Sequence, residues 1–372
     1  MDREKLHALA LNSLPYMHPA TYHALLARFG AAAEVFRARR EDLTALREVS
    51  PAMADLIKSS APEKLAEAEI SLAEKLGAGI LFLDGPDYPE PLKKIHAPPP
   101  VLYVMGRWRK EDEFSVAVVG TREPTPYGRN TAERLSEGLA RAGLTVVSGF
   151  ARGIDGTAHR AALKAGGRTV AALGCGLNIN YPANHGDMKK RIAENGAVIS
   201  QFGLTMEPSL VSFPIRNRVV AGLTLGTIVV EAPVESGALI TAYAALDCGK
   251  EVFAVPGQVN SKKSEGANRL IQKGYARLCM SAQDVIDDLP DPARKWIKAR
   301  QMELGLEENA AAEAALEGEE AAIAKILEDG ERHIDQVAAM CGLPLGKVSA
   351  ILLSLEIKGL VKQASGKMFM RS

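Results

Sequence analysis

Cysteine is sparse in this sequence and never clustered. Cys175, Cys248, Cys279 and Cys341 show neither CxxC nor metal-ligand spacing. That excludes a disulfide scaffold and a zinc site, and leaves reduced, mostly buried thiols. The seven histidines contain no HxxxH pair, so no metal is expected. No run approaches the ~18 apolar residues of a membrane span. The amino-terminal stretch MDREKLHALALNSLPY begins charged and lacks the apolar core of a signal peptide. These absences describe a soluble, cytoplasmic protein with no membrane partner. Net charge is missing too: Lys+Arg and Asp+Glu stand at 45 each. Overall charge therefore argues neither for nor against a nucleic-acid partner, and only local clustering can.

Several nucleotide signatures are also absent. The segment GTREPTPYG lacks GxGxxG spacing, and no acidic residue ends the following strand, so a dinucleotide cofactor is not indicated. GLPLGK at 342–347 is one residue short of a P-loop, with Val348 where Ser or Thr would bind magnesium. No cofactor is expected.

What is present begins with FSVAVVGTREPTPYGR, residues 114–129. Its Val-rich run reads as a strand buried on both faces, ended by Gly120 and followed by Thr121 and Arg122. A helix is expected over 130–142. Strands are then expected at 145–148, 169–173, 198–200, 227–231 and 252–255, separated by helices, with a long loop before a helix near Arg216. A last unit runs through GANRLIQKGYARLCM to SAQDVIDDL. Such alternation implies an α/β fold, a mostly parallel sheet with helices on both faces. Short strands at 80–83 and 101–104 precede it, joined by a proline-rich, stiff connection.

Around this core we expect a helical domain over 1–77, of helix-hairpin-helix or SAM-like type, and the α/β domain over 78–289. A partly helical linker rich in Ala and Glu follows over 290–318. Over 319–372, three short helices (321–327, 334–340, 347–358) and a hairpin tipped by Ser365-Gly366 read as a winged helix-turn-helix. Its segment 343–372 holds five Lys/Arg against one acidic residue, which predicts a basic recognition helix and wing.

Open α/β sheets bind ligands at the carboxyl ends of their strands. Here those ends carry Gly120-Thr121-Arg122, then Ser148-Gly149 with Arg152, then Arg216-Asn217-Arg218 at a helix mouth, and Pro256-Gly257. Glycines admit close backbone approach and helix starts favour anions. Any one glycine is better read as a turn; recurrence of Gly or Ser with Arg is what points to an anionic ligand. Asp155 reads as a helix cap and His159 as a packing residue. Glu231 is the one strand-end acid placed for acid–base work, and it has no evident partner base. Phe150, Tyr181 and Phe213 are the few nearby aromatics.

Taken together, VAVVGTREPTPYG, VVSGFARGIDGTAHRAAL, TVAALGCGLNINYPANH, FPIRNRVVAGLT, VVEAPVESGALITAYAALDCGKEVFAVPG and EGANRLIQKG resemble the DprA (Smf) family of DNA-processing proteins, as does the earlier GPDYPEPLKKIHAPPPVLYVMG. The resemblance implies a helical amino-terminal domain, an extended Rossmann-like domain and a winged-helix tail. It implies a non-catalytic protein that binds and shields incoming single-stranded DNA and helps load the recombinase RecA in natural transformation. The expected DNA-binding residues are Gly120, Thr121, Arg122, Ser148, Gly149, Arg152, Arg216, Asn217, Arg218 and Gly257. A homodimer is implied too, with Leu270, Ile271 and Leu278 as its apolar surface. Two departures bear on affinity. Gln201 stands where the family commonly has Glu, and 201–215 contains no Lys or Arg. Two other readings compete. Related Rossmann-like phosphoribohydrolases process nucleotides, but their PGGxGTxxE motif is absent. A duplex-DNA regulator using only the winged helix would leave the strand-end glycines and arginines unexplained.

Overall fold

The Val- and Ala-rich runs fold as short strands of a single sheet. The computed structural model describes residues 2–314, 316, 318–327, 330–364 and 366–371, and the chain divides into two units, Met1–Arg294 and Lys295–Ser372.

In the first unit the strands are β1 (Ala78–Phe82), β2 (Val101–Gly106), β3 (Ser115–Val119), β4 (Thr145–Ser148), β5 (Thr169–Ala172), β6 (Gly196–Ser200), β7 (Gly226–Val229), β8 (Glu251–Ala254) and β9 (Arg277–Leu278). They lie in the order β1-β2-β6-β5-β4-β3-β7-β8-β9. β2 runs antiparallel to both β1 and β6, and every other neighbouring pair is parallel. Parallel strands need both faces covered, and side chains alternate between the faces with a period of two. Accordingly Ala197 and Ile199 of β6, with Val170 and Ala172 of β5, join the core on one face. Val198 and Ala171, between them, join the core on the other.

Six helices precede the sheet: α1 (Arg3–Ser13), α2 (Pro19–Phe29), α3 (Ala32–Arg37), α4 (Arg40–Thr44), α5 (Pro51–Ser59) and α6 (Pro62–Leu76). Leu11, Leu25, Val35, Leu43 and Ile57 give them a core of their own. Leu9, Ala10, Ala66 and Ala73 also pack with Val101, Tyr103 and Val198 of the sheet. The helical region thus closes one sheet face, and residue 77 is a change of element inside one unit.

Between the strands come α7 (Glu90–Lys93), α8 (Pro126–Arg141), α9 (Ile154–Lys164), α10 (Gly186–Asn195), α11 (Ser212–Leu223), α12 (Gly237–Asp247), α13 (Glu265–Gln272) and α14 (Ala282–Asp287). Two of them start earlier than the sequence suggests. α8 begins at Pro126 because Thr125 caps it, its Oγ1 accepting from Gly128 N at 3.1 Å, and a proline at the first helical position sacrifices no hydrogen bond. α11 begins at Ser212, where Ser209 and Ser212 exchange backbone-to-hydroxyl bonds of 3.0 and 3.1 Å. Pro214 then falls in a first turn, where it is tolerated.

From β3 the chain winds through β4, β5 and β6 to one side and returns through β7 and β8 to the other. That reversal opens a crevice at the carboxyl end of β3. Helix α15 (Asp291–Ala314) occupies most of the stretch that composition marks as a linker.

In the second unit, α16 (Gly318–Ile326), α17 (Ile334–Cys341) and α18 (Leu345–Ile357) pack with a three-stranded sheet ordered β10-β12-β11. The strands are β10 (Arg332–His333), β11 (Val361–Ala364) and β12 (Met368–Arg371). This is a winged helix with its own core of Ile323, Leu327, Val337, Val348, Leu352, Leu355 and Phe369. Ser365, expected at the hairpin tip, lies outside the described residues. The recognition helix is less basic than its count suggests, because Lys347 and Lys358 pair with Glu319 and Glu320 at 2.6 Å each. Among the described residues no single helix is long and apolar enough to cross a membrane.

Candidate nucleic-acid interface

A cleft of about 410 Å³ opens at the crevice beside β3, lined by Gly120, Thr121 and Arg122, by Gly149 after β4, by Phe213 and Arg216 of α11, and by Ser236 and Gly237 at the start of α12. Arg216 forms its floor. It is 5% exposed, and its Nη1 donates to Gly149 O and, at 2.8 Å, to Ala172 O. Its Nε donates to Asn217 Oδ1 at 3.0 Å. The guanidinium thus ties the ends of β4 and β5 together. Asp155 lies across from it, buried, accepting from Ala151 N at 3.2 Å. Burial raises the Asp155 pKa, and the charge of Arg216 opposes that rise. Burial likewise lowers the pKa of Arg216, opposed by Asp155. Gly149 passes between the two: a Cβ there would stand 2.8 Å from both Arg216 Cζ and Asp155 Oδ2. Any side chain would force the pair apart. The helix-cap role expected of Asp155 falls to Gly153, at the N-cap with φ 79°; the Asp155 carboxylate folds back to Ala151 instead.

Above this floor Arg122 is exposed, and among the described residues it has no ion-pair partner. Its guanidinium sits 5.1 Å from the centroid of the Phe213 ring. Tyr181 meets the same ring at 5.8 Å, tilted by 41°. Arg122 and Phe213 therefore line the cleft side by side, and Tyr181 stands next to them against the Phe213 ring. Lys263 is a lining residue that strand-end reasoning misses. Its Nζ donates to Glu123 O, and it brings a positive charge that 201–215 lacks. The pair Lys262-Lys263 before EGANRL is the signal that marks it in the sequence.

The other expected residues take different positions. Ser148 is fully buried and its Oγ donates to Val118 O at 2.6 Å, so its hydroxyl serves the sheet. The Thr121 amide is used within the fold, donating to Glu231 O at 2.7 Å. Asn217 is a brace, accepting from Arg216 and donating to Gly237 O at 3.1 Å. Arg152 is exposed and outside the cleft lining. Arg218 is turned away from Arg216, because two helical residues are separated by about 200° around the axis. Its Nη2 donates to His96 O at 2.6 Å. Gly257 lines a separate hollow and is held by Asn268 through two 3.0 Å bonds.

Glu231 is committed to helix α8, accepting from Thr125 N at 2.9 Å and Thr125 Oγ1 at 2.6 Å. It has no free oxygen poised for acid–base work in the cleft. Of the three apolar residues expected on the outside near β9, Leu270 is 1% exposed and belongs to the sheet core. Its position on α13 faces inward, and Ile271 packs partly against the same core. Leu278 on β9 is exposed.

Beneath the cleft, Phe150 adopts φ 60°. A bulky residue holds that left-handed conformation only where its surroundings enforce it. Here the ring is buried between His185 at 5.2 Å and His159 at 6.0 Å. His159 Nδ1 lies 2.7 Å from Thr169 Oγ1, and that hydroxyl donates its proton to Val146 O at 2.6 Å. The hydroxyl must therefore accept from His159, which places the imidazole proton on Nδ1. Among the described residues the buried Nε2 has no partner. Burial, then the nearby charges of His185, Arg160 and Arg216, push the His159 pKa down to about 3.

Comparison with known proteins agrees with this architecture. The family model for DNA recombination-mediator protein A matches residues 79–290, and that for the DprA winged helix domain matches 307–367. The chain is 35% identical over 319 residues to Protein Smf of Escherichia coli, covering 82% of this chain and 81% of that one. It is 35% identical over 314 residues to Protein Smf of Synechocystis sp., covering 77% and 79%. DNA processing protein A of Streptococcus pneumoniae has a crystal structure that superposes with a TM-score of 0.64 at 30% identity, over 78% of this chain and 99% of that chain. A second solved relative is DNA processing protein A of Helicobacter pylori, studied for its single-stranded DNA binding mode. It superposes with a TM-score of 0.51 at 30% identity, over 57% and 97%.

Proposed function

The chain belongs to the DNA recombination-mediator protein A family, and from that membership we propose that it binds single-stranded DNA in the cleft at the end of β3. The observation that carries this reading is the rim: Arg122, without an ion-pair partner among the described residues, beside the Phe213 ring that Tyr181 packs against, over a floor already tied down by Arg216. A guanidinium suits phosphate, donating two parallel hydrogen bonds while staying charged. Aromatic faces stack on any base, so the combination is sequence-tolerant and selects unpaired strands whose bases are free to stack. In this reading Arg122 and Lys263 hold phosphates, Tyr181 and Phe213 take a base, and Arg216 shapes the floor. The protein, in this reading, covers the strand rather than cutting it: of the two carboxylates lining the cleft, Asp155 is buried against Ala151 N and Glu123 is exposed to solvent. Delivery of the covered strand to RecA, and a dimer formed through Tyr275, Leu278 and Met280, which are all exposed around β9, complete the proposal.

A direct test compares single-stranded with duplex DNA across a salt series. Arg122→Ala is expected to weaken binding to all sequences alike, and to lower the salt slope by about 0.7, one phosphate's share. Arg216→Ala acts differently. It strands Gly149 O, Ala172 O and Asp155 in a buried place and costs the fold about 3 kcal/mol or more before binding is considered. Equal affinity for both DNA forms, with Arg122→Ala neutral, sinks the assignment.

A further inference from the structure

The cleft does not end at Arg216. Past Pro214 and Ile240, which line it on one side, the surface falls into a second hollow of about 610 Å³, larger than the first, and the same two residues line that hollow too. Its wall carries Lys94, from the turn after α7, and Arg218. Among the described residues neither has an ion-pair partner; Arg218 reaches only the carbonyl of His96. Asp247 is the one carboxylate among the lining residues, against these two permanent cations. His18, from the helical region, adds a donor. Its Nδ1 accepts from Ala20 N at 3.0 Å, so the proton of the neutral ring sits on Nε2. Tyr243 of α12 lines the hollow and is 43% exposed, its ring T-shaped to that of Tyr275 with centroids 6.3 Å apart. An aromatic face beside two unneutralised cations repeats the chemistry of the first cleft.

We infer that this hollow is a second nucleotide subsite, which takes the phosphates and a base of the same single strand as it leaves the first cleft over the Pro214–Ile240 ridge. The inference rests on the proposed binding of single-stranded DNA and extends its path. Two features select this occupant. The hollow shares Pro214 and Ile240 with the first cleft, and its charge complements a polyanion. Lys94 and Arg218 neutralise backbone phosphates, His18 donates to a phosphate or base oxygen, and Tyr243 with Ile240 supplies the apolar surface on which a base stacks. The helical region then takes part in binding through His18, and Arg218 acts one or more nucleotides away from Arg122.

The test uses oligothymidylates of two lengths with the full chain: about four nucleotides, enough for one cleft, and about twelve, enough for both. Lys94→Glu changes an exposed residue. Arg218→Gln keeps an amide donor for His96, and thermal melts report whether each variant is folded. For the long oligomer, Lys94→Glu with Arg218→Gln is expected to weaken binding about tenfold and to lower the salt slope by about 1.4, two phosphates' share. The short oligomer is expected to bind as it does to the unaltered chain. Arg122→Ala, in contrast, weakens both lengths. If the double variant, or Lys94→Glu alone should Arg218→Gln fail to fold, binds both lengths as the unaltered chain does, the second subsite is wrong while the first cleft stands. An unaltered chain that binds neither length overturns the single-strand reading and the subsite with it.

Discussion

Arg216, Asn217 and Ser148 are each tied to the fold by hydrogen bonds, and the buried His159 adds acid sensitivity. Its folded pKa near 3 lies below the ordinary 6.5 of histidine because burial disfavours the cation. Between those values the unfolded chain binds a proton that the folded chain does not. Stability from this residue is therefore present above pH 6.5 and is lost as pH falls, by about 1.4 kcal/mol per unit. Lowering the pH from 6.5 to 5 should cost about 2 kcal/mol through this side chain alone. His159→Gln removes the titration, and denaturant midpoints measured across that range should fall less steeply by about one proton's slope. Parallel slopes for the variant and the unaltered chain would show that His159 gains its proton in the folded state.

At the scale of elements, α8 is positioned by a contact no periodicity reveals. Gly128, in its first turn, lies against the Glu231 carboxylate, and a Cβ there would stand 2.2 Å from Oε2. The carboxylate cannot swing aside without giving up its two bonds to Thr125. Alanine in place of glycine normally favours a helix by about 1 kcal/mol. Gly128→Ala should instead destabilise by about 2 kcal/mol, as overpacking does, in urea denaturation, and Glu231→Ala in the same chain should recover part of the loss. A Gly128→Ala protein more stable than the parent would overturn this account. Much of the element pattern was legible in the sequence. Val-rich runs of four or five residues gave the strands, since a strand buried on both faces has little else to be. The starts of α8 and α11 were not legible, because prolines there resemble loop residues. With α11 begun at Ser212, the 200° between Arg216 and Arg218 follows from helical geometry, and their separation into two hollows with it. β10 escaped because two residues have no periodicity. The inward turn of Leu270 depends on what α13 packs against, which a single helix does not announce.

At the scale of the molecule, the two units have separate cores, so each should fold alone. A chain ending at Arg294 is expected to keep its heat-unfolding transition and the single-strand affinity of the intact protein. A truncated chain that stays folded yet loses single-strand binding would move the main site to the winged helix. The strand order also has a meaning in time. β2 pairs with β6, Tyr103 opposite Ser200. Asn12 holds Gln201 O at 3.1 Å, and Glu69 holds the Leu204 amide at 3.0 Å. All these partners are synthesised long after the amino-terminal helices. While residues 107–195 are being made, at roughly 5–20 per second, the helices have only the β1–β2 ribbon to lean on. Their private core keeps them folded meanwhile, but the flank bearing Leu9, Ala10, Ala66 and Ala73 waits several seconds for β6 to cover it. That interval on the ribosome is when the newborn chain is most open to capture by a chaperone, or by the exposed sheet of another copy.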